Sequence, residues 1–197
     1  MVKAKRLILM CFLLMIAFTF YGCNRPEKAS FHSVGNFFKE LKQYESEVKV
    51  TLLKDKQPNE MKMKQVASMN GTYEFTVIEP EHLKGTKVSY DGNQITEYYP
   101  SLNKAVEVKG SSAQNEILLT SFVSRYLTNE NIKKQEIQLN GKAINTYEMP
   151  IEGNFKYLSK EKLWLDEKNQ LPLKLEIYDD AGNITIEVIY EDFKFNS

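Results

Sequence analysis

Among the side chains of this 197-residue chain, the candidates for metal binding, nucleophilic attack or proton transfer are His32, His82, Cys11, Cys23 and the paired acids Asp179-Asp180 and Glu191-Asp192. Each histidine stands alone. Neither has a second ligand at helical or hairpin spacing, so the sequence predicts no metal site, because zinc ligands come in clusters. Asp179-Asp180 lies in a turn and lacks the regular spacing of a calcium loop. Acids in turns commonly cap their own backbone. No serine sits in a nucleophile-elbow sequence, and no glycine-rich phosphate loop is present. The inventory points to a non-enzyme with no catalytic residue and no cofactor.

The cysteines carry a different chemistry. Lys3, Lys5 and Arg6 precede an apolar run from Leu7 to Phe20, and Gly22 then stands directly before Cys23. A basic start followed by an apolar stretch too short to span a membrane is the pattern of an export signal. Residues 1–22 resemble a bacterial lipoprotein signal, with Phe20 and Tyr21 where leucine and a small residue are usual. That resemblance makes Cys23 the lipid attachment site and the first mature residue, lipid-anchored on the outer face of a cell or spore membrane. The alternative is an uncleaved anchor helix with an incidental cysteine. Cys11 leaves with the signal, so no disulfide can form within the mature chain. Residues 23–32 are polar, contain Pro26 and read as a lipidated tether.

Charge excludes one class of partner. The chain has 26 basic and 26 acidic residues, and the leader holds three of the bases and none of the acids. The mature part is slightly acidic, without the concentrated positive face that nucleic acid requires.

Turn signals set the architecture of the remainder. Asp91-Gly92 separates two β-rich runs, Lys87–Tyr90 and Gln94–Tyr99, and predicts a tight hairpin with positive φ at both positions. Asn70-Gly71, Asn140-Gly141 and Asp180-Ala181-Gly182-Asn183 repeat the idiom. Asp91, Gly92, Gly141 and Gly182 are therefore the turn-critical residues. Period-two alternation predicts further strands over Glu45–Lys54, Met61–Met69, Thr72–Ile78, Ala105–Val108, Lys133–Leu139, Ala143–Met149, Glu161–Asp166, Leu173–Tyr178 and Ile184–Phe195. Helical spacing predicts a helix from about Val34 to Tyr44, capped by Ser33, and another over Ala113–Leu127. The fold class is mainly β with two or more helices. Residues 33–197 form one strongly curved antiparallel sheet, or open β-barrel, of about eleven strands with a helical lid.

Two features can carry binding. Met61, Met63, Phe75, Val77, Tyr98, Leu163, Leu165 and Leu175 are predicted on the concave face, as core or, if space remains, around an apolar ligand. An open barrel also leaves unpaired edges that can accept a partner's strand or pair two copies as a homodimer.

Two stretches resemble the LolA/LolB-like lipoprotein-carrier superfamily. Residues 73–108, YEFTVIEPEHLKGTKVSYDGNQITEYYPSLNKAVEV, are similar to its first half, with an aromatic strand ending in Pro, an Asp-Gly hairpin and a Tyr-x-Pro turn. Residues 163–196, LWLDEKNQLPLKLEIYDDAGNITIEVIYEDFKFN, are similar to its second half, with Trp-x-Asp, Leu-Pro and a glycine-asparagine hairpin. The resemblance implies an eleven-stranded open barrel with helices over its mouth. In length, lipobox and order of segments the chain resembles most the clostridial GerS-type spore-germination lipoproteins. That resemblance implies a non-enzymatic partner and activator of a CwlD-type N-acetylmuramoyl-L-alanine amidase in cortex peptidoglycan modification. The broader superfamily implies the alternative, a carrier or receptor for lipid or lipoprotein acyl chains.

Overall fold

Residues 34–53, 58–108, 116–153 and 155–196 are described by the computed structural model. The first helix, α1, is Val34–Glu40, and strands β1 to β6 follow as Gln43–Leu52, Asn59–Ser68, Tyr73–Glu79, Lys87–Tyr90, Ile95–Tyr99 and Lys104–Val108. Helix α2 is Leu119–Thr128, and β7 to β11 are Lys133–Leu139, Lys142–Pro150, Lys160–Asp166, Pro172–Tyr178 and Ile184–Asn196. All eleven strands lie in one antiparallel sheet in the order β6-β5-β4-β3-β2-β1-β11-β10-β9-β8-β7. The sheet is curved and does not close. The expected fold class is the one observed.

That order dictates the lid. Strands β1 and β11 pair at the centre, and every other neighbouring pair is consecutive in sequence. Strands β6 and β7 are also consecutive, yet they form the two opposite edges. The chain between them must cross the sheet, and it crosses as α2 on the concave side. Val34, Phe37 and Phe38 of α1 and Leu119, Phe122 and Val123 of α2 are buried there against Val48, Leu163, Leu165, Leu175 and Val188. Their spacing at i, i+3 and i+4 gives each helix one apolar face.

Four expectations need correction. The first helix stops at Glu40 rather than Tyr44, because Tyr44 also satisfies the period-two series Tyr44, Ser46, Val48, Val50 and joins β1. The second helix begins at Leu119. Leu118 is extended, with φ −92 and ψ 132, and separates it from a short turn at Glu116-Ile117. Asp91 does not take positive φ; only Gly92 of that pair does. The loop there has four residues, since Tyr90 pairs with Ile95. Tyr98 is not on the concave face. Its partners are Lys87 and Ala105, and the concave row on β5 is Ile95, Glu97 and Tyr99.

Strand β11 changes face part-way. Val188 and Tyr190 point inward, then a bulge shifts the register between Glu45 and Glu47 of β1. Asp192, in the bulge, has φ 48. Ser46 Oγ donates to Glu191 O at 2.6 Å and anchors the irregularity. The extra residue turns Phe193 and Phe195 inward, where both rings meet Phe37.

Candidate partner-binding surfaces

The middle of the concave face is filled by the protein's own side chains. Phe38 meets Phe122 edge-on at 6.2 Å and Tyr126 at 4.7 Å, and Tyr44 stacks on Phe193 at 5.4 Å. Of the residues expected there, Met63, Phe75, Leu163, Leu165 and Leu175 are buried core, and Met61 and Val77 are half-buried.

Two polar ties hold the lid in place. Tyr44 Oη donates to Gln65 Oε1 at 2.8 Å and accepts the N–H of Leu119 at 3.2 Å. Tyr44 thereby satisfies one of the orphan N–H groups at the start of α2, where no side-chain cap is present. The second tie is ionic. Arg125 of α2 grips Glu161 of β9 through Nε to Oε1 at 2.5 Å and Nη2 to Oε2 at 2.7 Å. Glu116 adds a second carboxylate 2.8 Å from the same guanidinium. The Glu161 side chain is fully buried. Burial pushes its carboxyl up from the ordinary value, against the opposing pull of Arg125. No sequence periodicity announces this pair; Glu161 reads as a polar position at a strand start.

The turn residues sit at the hairpin tips. Asp91 Oδ1 accepts the N–H groups of Asn93 and Gln94 at 2.8 and 2.9 Å, which holds its carboxyl below the usual range. Gly92 has φ 100. Asn140 and Gly141 have φ 51 and 75 and form a two-residue loop between paired Leu139 and Lys142. Gly182 has φ 84 in a turn closed by Asp179, whose Oδ1 accepts the Asn183 N–H at 2.7 Å. His82 is exposed in a short 3-10 turn, Glu81–Leu83. Cys11, Cys23, His32, Ser33, the signal and the tether lie outside the described residues.

The two sheet edges differ. On β7 the concave row presents Lys134 and Glu136, inward charges of the kind that discourage strand addition. On β6 the same face presents Lys104 at the strand's start, then Val106 and Val108, 39 and 41% exposed. Val108 continues the row Tyr73, Tyr90, Ile95 out to the edge. Among the described residues both edges are unpaired, and the second half of β6, Val106 to Val108, offers an apolar stretch that β7 lacks. The convex face is neither: Lys62 bridges Glu47 and Glu191, each at 3.0 Å, and Lys49 meets Glu60 at 2.8 Å.

Against known proteins, the profile of the family described as "Sporulation protein YdcC-like" matches residues 3–197, almost the whole chain. The chain belongs to the YdcC-like sporulation protein family. No curated protein matches it. Among solved structures it is similar to a chain in the structure of the CwlD amidase from Clostridioides difficile in complex with the GerS lipoprotein. That match has 25% identity and a TM-score of 0.54, and covers 82% of this chain and 91% of that one. It is also similar to an uncharacterized conserved protein from Thermus thermophilus, at 11% identity and a TM-score of 0.53, over 83% of this chain and 86% of that one. A LolA superfamily protein from Nitrosomonas europaea is matched at 13% identity and a TM-score of 0.41, over 86% and 94% of the two chains. For this member of the YdcC-like family, then, a sporulation-associated role and a curved, lidded sheet stand together.

Proposed function

We propose that this protein is a membrane-anchored, non-enzymatic lipoprotein that binds and activates a CwlD-type N-acetylmuramoyl-L-alanine amidase during cortex peptidoglycan modification, and is required for spore germination. The observation that carries this reading is the likeness, along most of both chains, to a structure that holds an amidase and the GerS lipoprotein together. The packed centre supports it: an acyl carrier needs an apolar cavity, and here Phe37, Phe38, Leu119 and Phe122 fill the middle of the concave face, while the cleft of about 710 Å³ beside β7 and β8 is lined by Lys134, Glu136, Asn145 and other polar groups. Cys23, acylated, is the anchor, and the unpaired β6 edge is the contact.

A partner raises an enzyme's activity only by binding the active state more tightly than the inactive one. The domain alone therefore leaves peptidoglycan intact, and adding it to purified amidase raises muropeptide release. Mixing the two purified proteins tests this. No binding and no rise in release, with stoichiometric lipid extracted from the domain, would transfer the reading to an acyl carrier.

A further inference from the structure

Eight large apolar side chains are exposed among the described residues, and five of them gather at one end of the sheet. Leu53 follows β1, Leu102 lies in the β5–β6 turn, and Phe155 and Tyr157 lie in the β8–β9 loop. Neighbouring strands run in opposite directions, so these three connections share one end. Helix α2 finishes there too, with Leu127 in its last turn, because β7 starts at that end. Leu53 and the β8–β9 loop are joined through Thr185. Its carbonyl accepts the Leu53 N–H at 2.8 Å, and its Oγ1 donates to Tyr157 O at 2.8 Å.

The exposure is not that of a loose loop. Ile151 N–H donates to Ser159 O at 3.0 Å, Ser159 N–H to Tyr178 O at 2.8 Å, and Asp180 N–H to Lys156 O at 3.2 Å. The loop is thus closed at its base and tied to the neighbouring hairpin. A Cβ added to Gly153 would lie 2.5 Å from the Phe155 ring, so the ring rests where only glycine leaves room. Phe155 is nevertheless 60% exposed and Tyr157 43%. Aromatic side chains held firmly in water mark a contact surface.

The chain before α1 indicates what covers them. Cys23 and Val34 are eleven residues apart, at most about 40 Å when fully extended. An acylated Cys23 therefore keeps the domain at high effective concentration beside lipid. Lys156 Nζ lies 5.8 Å from the centre of the Tyr157 ring, and rings with a basic head group beside them suit the headgroup level of a bilayer. Glu152, Asp179 and Asp180 offset Lys156 and Lys160 at this end, so apolar insertion, not attraction to anionic lipid, supplies the affinity. We propose that this end of the sheet rests in the interfacial zone of the anchoring bilayer, with Phe155, Tyr157 and Leu53 entering it. The inference rests on the membrane-anchored reading above for the nearness of lipid. The β6 ladder runs along the sheet's side and stays open to the amidase.

The test couples residues 23–197, in which Cys23 is the only thiol, to a maleimide lipid in phosphatidylcholine vesicles. The buried core runs from Val34 to Tyr190, so this chain keeps all of it. Coupling supplies the anchor, so a failure of acylation in the cell does not bear on the result. Part of the lipid carries bromine near the top of its acyl chains and quenches any indole that reaches it. Phe155→Trp should be quenched at least twofold more than the parent, whose Trp164 lies within β9. Leu139→Trp, at the opposite end, should match the parent. Both replace exposed side chains, so circular dichroism and melting should be unchanged; Tyr157→Trp repeats the measurement on the same loop. Unquenched indoles on the loop overturn the proposal, and so does equal quenching of Leu139→Trp. The double variant Phe155→Ser, Tyr157→Ser should bind the amidase in solution within twofold of the parent. A tenfold loss there, with the loop indoles unquenched, would give the patch to a protein partner and overturn the lipid contact.

Discussion

Trp164 donates its indole N–H to Glu176 Oε2 at 2.7 Å on the convex face, between adjacent strands β9 and β10. Tyr178 Oη reaches the same oxygen at 2.7 Å, and Lys174 Nζ meets Oε1 at 2.6 Å. Lys174 also lies 4.5 Å from the centre of the Trp164 ring. Burial alone would push Glu176 up. The three donors outweigh it and hold the carboxyl below its ordinary value.

A pH dependence follows. An acid whose folded pKa is depressed adds stability above the unfolded pKa, about 4.3 for glutamate, and loses it as pH falls toward the folded value. Trp164 is the chain's one tryptophan. Its emission should therefore be flat above about pH 5 and shift below about pH 4.3, as the indole loses its charged acceptor. Glu176→Gln should abolish that step. A step near neutral pH in the parent, or one that persists in the variant, would contradict the assignment.

The buried pair on the concave side behaves differently. Arg125→Ala leaves Glu161 without its cation in a fully buried position. Removing one partner of such a pair costs about 3–5 kcal/mol. Urea denaturation should show a midpoint lowered by an amount in that range. The double variant Arg125→Met, Glu161→Leu should recover most of it, because two apolar side chains need no counter-charge. A double variant as unstable as the single would show that the pair does more than neutralise itself.

Gly92 and Gly141 test the turns. An added Cβ would meet nothing within 4 Å at either position, so any cost is backbone strain alone. Gly92→Val and Gly141→Val should each cost about 1–3 kcal/mol, because a β-branched residue resists positive φ. Thermal melting checks this. An unchanged melting temperature for either would mean that the hairpin relaxes to another turn.

Cys23→Ala should abolish acylation and either release the domain from the membrane or leave an unprocessed precursor. Two acyl chains anchor stably where one is marginal. Metabolic labelling with a fatty acid reports it directly. Labelling equal to wild type would remove Cys23 from its role.

Most of the sheet was legible because its punctuation is local. Glycine-containing turns and period-two alternation mark strands without any knowledge of their neighbours, and β7 and β4 match their expected limits. What was not legible depends on distant partners. Tyr44 fits two periods at once, and only the hydroxyl's bonds to Gln65 and Leu119 show which one holds. Tyr98 and Tyr99 are adjacent aromatics on opposite faces, and only the pairing of Ile95 with Tyr90 and of Tyr98 with Lys87 shows that Tyr98 faces outward. The β11 bulge is set by Ser46, 145 positions away from its acceptor. The contrast between edges was hidden too, since β6 and β7 become edges only through the β1–β11 pairing.

That contrast gives the last prediction. If an incoming strand docks on β6, its main chain pairs with the open ladder and its apolar side chains continue the row ending at Val108. An inward charge on an edge strand opposes such pairing. Val106→Lys adds one in the middle of the concave row, beyond Lys104 and opposite Glu97 of β5, at a side chain already 39% exposed. The domain should keep its fold, with an unchanged circular dichroism spectrum and a melting temperature within a few degrees of wild type. Its binding to the amidase should weaken at least tenfold. A matched change on the protected edge, Glu136→Lys on β7, should leave binding within twofold of wild type. Sedimentation of the domain alone separates a second use of the edge. If Val106→Lys converts a dimer into a monomer without altering amidase binding, β6 pairs copies of this chain and the amidase contact lies elsewhere. If Glu136→Lys is the variant that loses the amidase, the partner docks on β7, and the inward charges there take part in recognition rather than protection.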